Sequence, residues 1–246
     1  GQSIGILQSM RIQQAAGLNG NRYATFHQLG KEQAQKLHED DRLYDVGDTI
    51  FIGSTPLGNS SLSLYLREYH DNALSMYPAI GNVKEGRLPE EAIEIALSED
   101  ALQYLGLDAV IGDTVSLDLS VSVMDGSLSE LEYSADFVLT GILESSYIGY
   151  ASGTVEGIVG EGTAEELLPE EYLLYSTDFK TYDKQNFQSI IYALAEDLNV
   201  DERYIQYNWV LLDAIGISYD EAADSDTGTG FSFMTAACIL VGVLVL

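Results

Sequence analysis

A single cysteine, Cys238, is all the thiol chemistry the chain has to offer, so no intramolecular disulfide can form. Neither a CxxC redox pair nor a cysteine-rich metal site exists. Basic residues are scarce as well: eleven Lys and Arg stand against thirty-nine Asp and Glu, a formal net charge of −28. Phosphate recognition needs clustered Lys and Arg, which excludes nucleic acid as a partner. The same imbalance disfavours docking onto anionic lipid headgroups. Between Arg87 and Lys180 there is no basic residue and there are twenty acidic ones, and after Arg203 there is again none. Such an excess keeps a surface solvated and self-repelling. It also attracts cationic ligands such as basic peptides, over the about 8 Å that charge reaches at physiological salt. The usual catalytic signatures are missing too: no HExxH, no GxSxG, and no lysine placed to complete a phosphate loop after the glycines of 157–162. The opening "GQSIGILQSMRIQQ" lacks the basic region and cleavage site of a signal peptide, so an extracellular location requires delivery by something upstream.

What is present describes a folded protein. Hydrophobic residues make up 46% of the 246 and tyrosine occurs sixteen times, enough for one large domain or two small ones with a real core. The chain ends on "FSFMTAACILVGVLVL", residues 231–246, in which only Ser232, Thr235 and Gly242 are not apolar. As a helix this run reaches about 24 Å, short of the about 30 Å of a bilayer's hydrocarbon core. It reads either as a buried core element or as the beginning of a transmembrane helix.

Along the chain, residues 1–16 read as a helix, with Ile4, Leu7, Met10 and Ala15 loosely on one side, broken by "GLNGN" at 17–21. "RYATFHQL" alternates as a strand, "GKEQAQKLHEDD" is a polar helix, and "RLYDVGDTIFIG" returns as a strand: one β-α-β unit. A second unit lies near the other end, with "EEYLLYSTDF" (170–179) as strand and "ERYIQYNWVLL" able to return as strand. Between them, "YDKQNFQSIIYALAEDL" places Phe187, Ile190, Ile191, Leu194 and Leu198 on one helical stripe. The middle is richer in β. "IEIALS" reads as a strand whose Ser98 caps the helix "EDALQYL", with Glu99 and Asp100 in its first turn and Gly106 stopping it. "GDTVSLDLSVSVM" and "EYSADFVLTGIL" alternate strictly around a "DGS" turn. The Gly-rich "GTVEGIVGEG" reads as a surface loop. The two β-α-β halves are expected to pair into one split α+β layer.

No catalytic, cofactor-binding or metal-ligating residue is assigned from these patterns, and no cofactor is expected. His27, His38 and His70 fall on different elements. His38 stands beside Glu39, Asp40 and Asp41, but consecutive residues of a helix do not face one another, and the cluster reads as a solvated helix end. "DSDTGTG" (224–230) begins like a calcium loop at Asp224 and Asp226 yet lacks the later acidic ligands. The pairs Glu90/Glu91, Glu165/Glu166 and Glu170/Glu171 flank Pro89 and Pro169 and read as element starters rather than glycosidase carboxylates. Arg87 is expected to lock the turn before Pro89 through an ion pair.

In order, the motifs "EGRLPEEAIEIALSEDALQYLGL", "GDTVSL" and "DFVLTGIL" resemble the extracytoplasmic domain of FtsX-like/MacB-type ABC transporter permeases. The matching residues are Gly86, Arg87, Leu88 and Pro89, then Gly112 and Asp113, then Gly141 and Ile142. The resemblance covers roughly residues 17–246, apart from a loop at 145–168. It implies a split porter-like layer built from 18–88 and 168–230, the latter including a juxtamembrane linker. A β-rich sabre-like subdomain would be inserted at 89–167. Residues 1–17 would continue a first transmembrane segment, and 231–246 would begin a second. It further implies a non-catalytic domain on the extracytoplasmic face of the cell membrane, in a Gram-positive-type bacterium. A cytoplasmic ATPase subunit would be its partner, and a peptide, lipoprotein or antimicrobial its cargo; a cationic peptide or cell-envelope protein is a further candidate partner. The competing class is a soluble ligand-binding or adhesion module whose apolar end is buried.

The two classes separate on one comparison. A chain ending at Gly230 is expected to melt at the same temperature as residues 1–246 and to aggregate less without detergent. Loss of the cooperative transition on truncation would make the apolar run a core element instead.

Overall fold

The computed structural model describes residues 2–147 and 149–217. The apolar run at 231–246, with Cys238, and the Asp224/Asp226 segment lie outside the described residues. The described chain forms two compact units. The first comprises residues 2–48, 71–78 and 175–217, and the second residues 49–70 and the described part of 79–174.

The first unit contains α1 (Gln2–Asn19), β1 (Ala24–Leu29), α2 (Lys31–His38), the start of β2 (Leu43–Pro56), β9 (Tyr175–Thr181), α5 (Phe187–Leu198), β10 (Ile205–Tyr207) and α6 (Trp209–Ile215). Its strand order is β10-β1-β9-β2. Both β-α-β units are therefore split, each holding a strand of the other between its own two. β1 pairs antiparallel on both sides, Thr25 standing opposite Gln206 and opposite Asp178. Alternation sends Ala24 and Phe26 into an apolar core with Phe179, Ala34 and Leu37, where Phe26 and Phe179 meet edge to face at 5.2 Å. The expected stripe of α5 is buried in that core at every position: Phe187, Ile190, Ile191, Leu194 and Leu198.

Three readings of this unit change. α1 continues through Gly17 to Asn19 and stops at Gly20, whose φ of 85° supplies the left-handed turn. It buries Ala15, while Ile6, Leu7 and Met10 are exposed rather than gathered on a covered face. "EEYLLYSTDF" becomes strand only at Tyr175, because Pro169 opens a 3₁₀ turn over Glu170–Tyr172. "ERYIQYNWVLL" is strand only over Ile205–Tyr207. Asn208 then ends the ladder by donating its side-chain amide to the carbonyls of Gly20 and Arg22, 2.8 Å each, and α6 begins at Trp209. Leu211, Leu212 and Ala214 pack from α6 into the core, a spacing that serves a helix.

The second unit takes the end of β2, β3 (Ser63–Tyr69), β4 (Val83–Gly86), β5 (Glu94–Ser98), α3 (Glu99–Tyr104), β6 (Thr114–Asp125), β7 (Ser127–Leu143), β8 (Thr154–Val159) and α4 (Thr163–Leu167). The strand order is β2-β3-β8-β5-β7-β4, and β6 pairs with β7 and with β2. β3 belongs with this sheet because it runs parallel to β8 from Ser63↔Thr154 to Glu68↔Val159. β6 and β7 form the expected hairpin, turning at Gly126 with φ 69°, with Val115, Leu117, Leu119 and Val121 inside. Ser98 caps α3 as expected, its Oγ accepting from the Ala101 N–H at 3.2 Å.

The loop expected at "GTVEGIVGEG" is in fact β8, buried between β3 and β5. Gly157, inside this strand, makes room instead of making a turn: a Cβ there would stand 2.6 Å from Leu66 Cδ2 and 2.9 Å from Leu97 Cδ2. Among the described residues, no helix is long and apolar enough to cross a membrane.

Glycines in these two settings should respond oppositely. Gly157→Val is expected to cost about 1–3 kcal/mol in urea unfolding, the price of overfilling a packed layer. Gly17→Ala, in open space on α1, should gain about 0.5–1 kcal/mol.

Candidate functional site

Two turns carry motifs that suggested a family, and both meet the third motif, Gly141 and Ile142, on one stretch of β7. The Arg87 N–H donates to the Thr140 carbonyl at 2.9 Å, and Gly86 pairs with Gly141 in the β4–β7 ladder. The Gly112 N–H donates to the Leu139 carbonyl at 2.8 Å, and the Leu139 N–H returns to the Asp113 carbonyl at 2.9 Å. A Cβ on Gly86 would run into the Thr140 carbonyl, and one on Gly141 into the Arg87 carbonyl. These glycines exist so that backbones can touch.

Arg87 makes the ion pair expected of it. Its guanidinium grips Glu94 in a fork, Nη1 to Oε1 at 3.0 Å and Nη2 to Oε2 at 2.6 Å. Glu94 Oε1 also accepts the N–H groups of Glu90 and Glu91, each at 2.9 Å, which closes the turn after Pro89. The fork with Arg87, together with these amide donors, holds the Glu94 carboxyl down to about 2. Glu165 and Glu166 occupy the first turn of α4, and Glu170 and Glu171 the 3₁₀ turn after Pro169, the element starts anticipated for them.

The histidines lie in three different settings. His27 is buried on β1, hydrogen-bonded to Ser176 Oγ at 2.8 Å and Gln206 Oε1 at 2.7 Å, and so ties β1 to both its neighbours. His70 meets Glu68, a buried carboxylate whose other oxygen accepts the Ala164 N–H at 2.8 Å. His38, at the end of α2, turns away from its acidic neighbours. Asp40 is engaged by the Arg42 fork at 2.9 and 2.8 Å, and Glu39 accepts from Gln35 at 3.2 Å. His38 Nε2 instead faces Asp48 Oδ2 at 2.9 Å and Asp71 Oδ2 at 3.8 Å. Asp48 is buried, and its Oδ1 accepts the Thr177 hydroxyl at 2.7 Å. No sequence signal joins Asp48, inside a strand, to Asp71, in a turn; folding alone brings them together.

A buried network also escaped the sequence reading. Asp178 on β9 accepts from Thr25 and, at 2.7 Å, from Tyr77, with Arg22 Nε 3.6 Å away. Burial pushes this carboxyl up, and Arg22, Thr25 and Tyr77 pull it back. On the outer face of the β6–β7 hairpin, Ser134 donates to Asp118 and Ser116 to Asp136, both at 2.6 Å, and Glu130 and Glu132 are exposed beside them.

The fold is α+β with a mixed sheet, and a solved structure shares it. The extracellular domain of the noncanonic ABC-type transporter YknZ from Gram-positive bacteria matches with a TM-score of 0.50 at 12% identity, over 76% of this chain and 99% of that one. The periplasmic region of MacB from Actinobacillus actinomycetemcomitans matches with a TM-score of 0.48 at 14% identity, over 86% of this chain and 100% of that one. No family model and no curated protein matches the sequence.

The Glu94 staple should be legible in pH. Its folded value near 2 lies below the ordinary 4.5, so its stabilisation is complete above 4.5 and is lost as pH falls through the folded value. Glu94→Gln is expected to lower Tm by several degrees at pH 7. The gap should close between pH 4.5 and 2 in thermal melts of both proteins.

Proposed function

We propose that this chain is the extracytoplasmic domain of an ABC-transporter permease. The observation that carries the reading is the shared fold with the extracellular domain of YknZ, nearly all of which the chain covers. Motif order supports it, since the Gly-Arg-x-Pro, Gly-Asp and Gly-Ile elements that resemble the family are the ones that build the crossing at β7. In this reading the interleaved β-α-β layer of the first unit is the porter-like part. The β-rich second unit holds the sabre-like part at 89–167, together with 49–70 and 79–88, which the expected boundary gave to the porter-like half.

The domain does no chemistry of its own. A cytoplasmic ATPase subunit supplies ATP hydrolysis, and membrane helices flanking the domain pass the resulting motion outward. The domain converts that motion into export or release of a substrate, or into action on an extracellular partner. A peptide, a lipoprotein or an antimicrobial is the class of cargo. The exposed hairpin face with Asp118, Glu130, Glu132 and Asp136 suits a cationic one.

Topology tests the reading directly. Ser129 is exposed on β7. In the full-length gene product with Cys238→Ser, Ser129→Cys is expected to react with a membrane-impermeant maleimide in intact cells. The protein purified in detergent should bring an ATP-hydrolysing subunit with it. Labelling only after the membrane is opened would overturn the assignment.

A further inference from the structure

We propose that His38, Asp48 and Asp71 form a binding site for a divalent transition-metal ion of the zinc class. Among the described residues, these three bring one ligand atom each to within 4.8 Å of one another. Ligand atoms about 2 Å from a tetrahedral zinc lie about 3.3 Å apart. The observed separations of 2.9 Å (His38 Nε2 to Asp48 Oδ2) and 3.8 Å (His38 Nε2 to Asp71 Oδ2) bracket that spacing. One imidazole and two carboxylates are a donor set suited to zinc, whereas calcium takes six to eight oxygens.

The parts around these ligands are those a metal site needs. Asp48 is held by Thr177, whose hydroxyl occupies Oδ1 and leaves Oδ2 towards His38. A hydrogen-bonded carboxylate of this kind is the outer support that orients a ligand. His38 and Asp71 keep 27% and 59% of their side chains exposed, so an ion has a path in and water can complete its coordination. The formal charge of −28 raises the cation concentration at the surface, and two carboxylates beside an imidazole give the ion a local charge to neutralise.

The chemical role follows from where the ligands stand in the chain. Asp48 is the last residue of the first unit before the chain leaves it, and Asp71 is the first on its return. An ion held by both, and by the end of α2, clips the exit to the re-entry. It stabilises the first unit without taking part in a reaction.

The test uses the full 246-residue chain, untagged and stripped with EDTA, titrated with zinc alone by calorimetry and by thermal melting. The expected result is one zinc per chain and a Tm raised by about 5–10 °C at a free zinc a hundredfold above Kd. His38→Asn and Asp71→Asn, each shown folded by circular dichroism, should weaken zinc at least about tenfold and remove the Tm shift. Asparagine tolerates the φ of 54° at position 71, so that variant tests the charge and not the backbone. Zinc binding unaffected by either substitution, or no binding at all, overturns the site. A calcium response equal to that of zinc and retained in His38→Asn overturns the role of the imidazole.

Discussion

Strand β1 can satisfy both its edges only with residues from the far end of the chain. Thr25 and Asp178 are joined by a side-chain hydrogen bond across 153 positions of sequence, and Gln206 stands on the other side. Backbone N–H and C=O groups of a buried strand must be paired, so the first unit cannot exist until the two halves of the chain have interleaved. Everything between β2 and β9, apart from the return at 71–78, is thereby an insertion whose ends are held fixed. The cost of closing so long a loop grows only slowly with its length, which allows a segment of this size to be inserted in the chain between β2 and β9. The buried groups on β1 reinforce the arrangement: His27 reaches Ser176 on β9 and Gln206 on β10 at once.

The second unit rests on a different device, the close approach of backbones. Residues 139–142 of β7 are met by the Gly86 turn, the Gly112 turn and β5. A crossing that dense leaves no room for a side chain at 86 or 141, and glycine stands there for that reason. Arg87 and Glu94 then brace the crossing from outside with charge. In this view the Gly-Arg-x-Pro element is a structural clasp, and its presence needs no ligand to explain it.

Periodicity made part of this legible beforehand. The stripe of α5, the alternation of β6 and β7 and the Ser98 cap are local patterns, and each element formed where its pattern stood. Where the pattern depended on a partner, it misled. Gly157 looked like a turn residue and is a packing residue, because only the leucines of β3 and β5 reveal why a side chain is missing there. "YIQYNWVLL" could serve strand or helix, and Asn208 decides by bonding to carbonyls on the opposite side of the chain. In sequence His38 stands among Glu39, Asp40 and Asp41. The carboxylates that face it come from a strand and a turn further along.

The outermost strands carry one more consequence. β10, at the border of the first unit, is three residues long. β4, at the border of the second, is four residues long, wholly exposed, and contains Lys84 and Glu85. A free strand edge is a template on which another copy can add its own strand, and short, charged borders are the known defence. Neither border strand offers a neighbouring molecule more than four residues of ladder, so addition of another copy's strand at β10 or β4 is disfavoured.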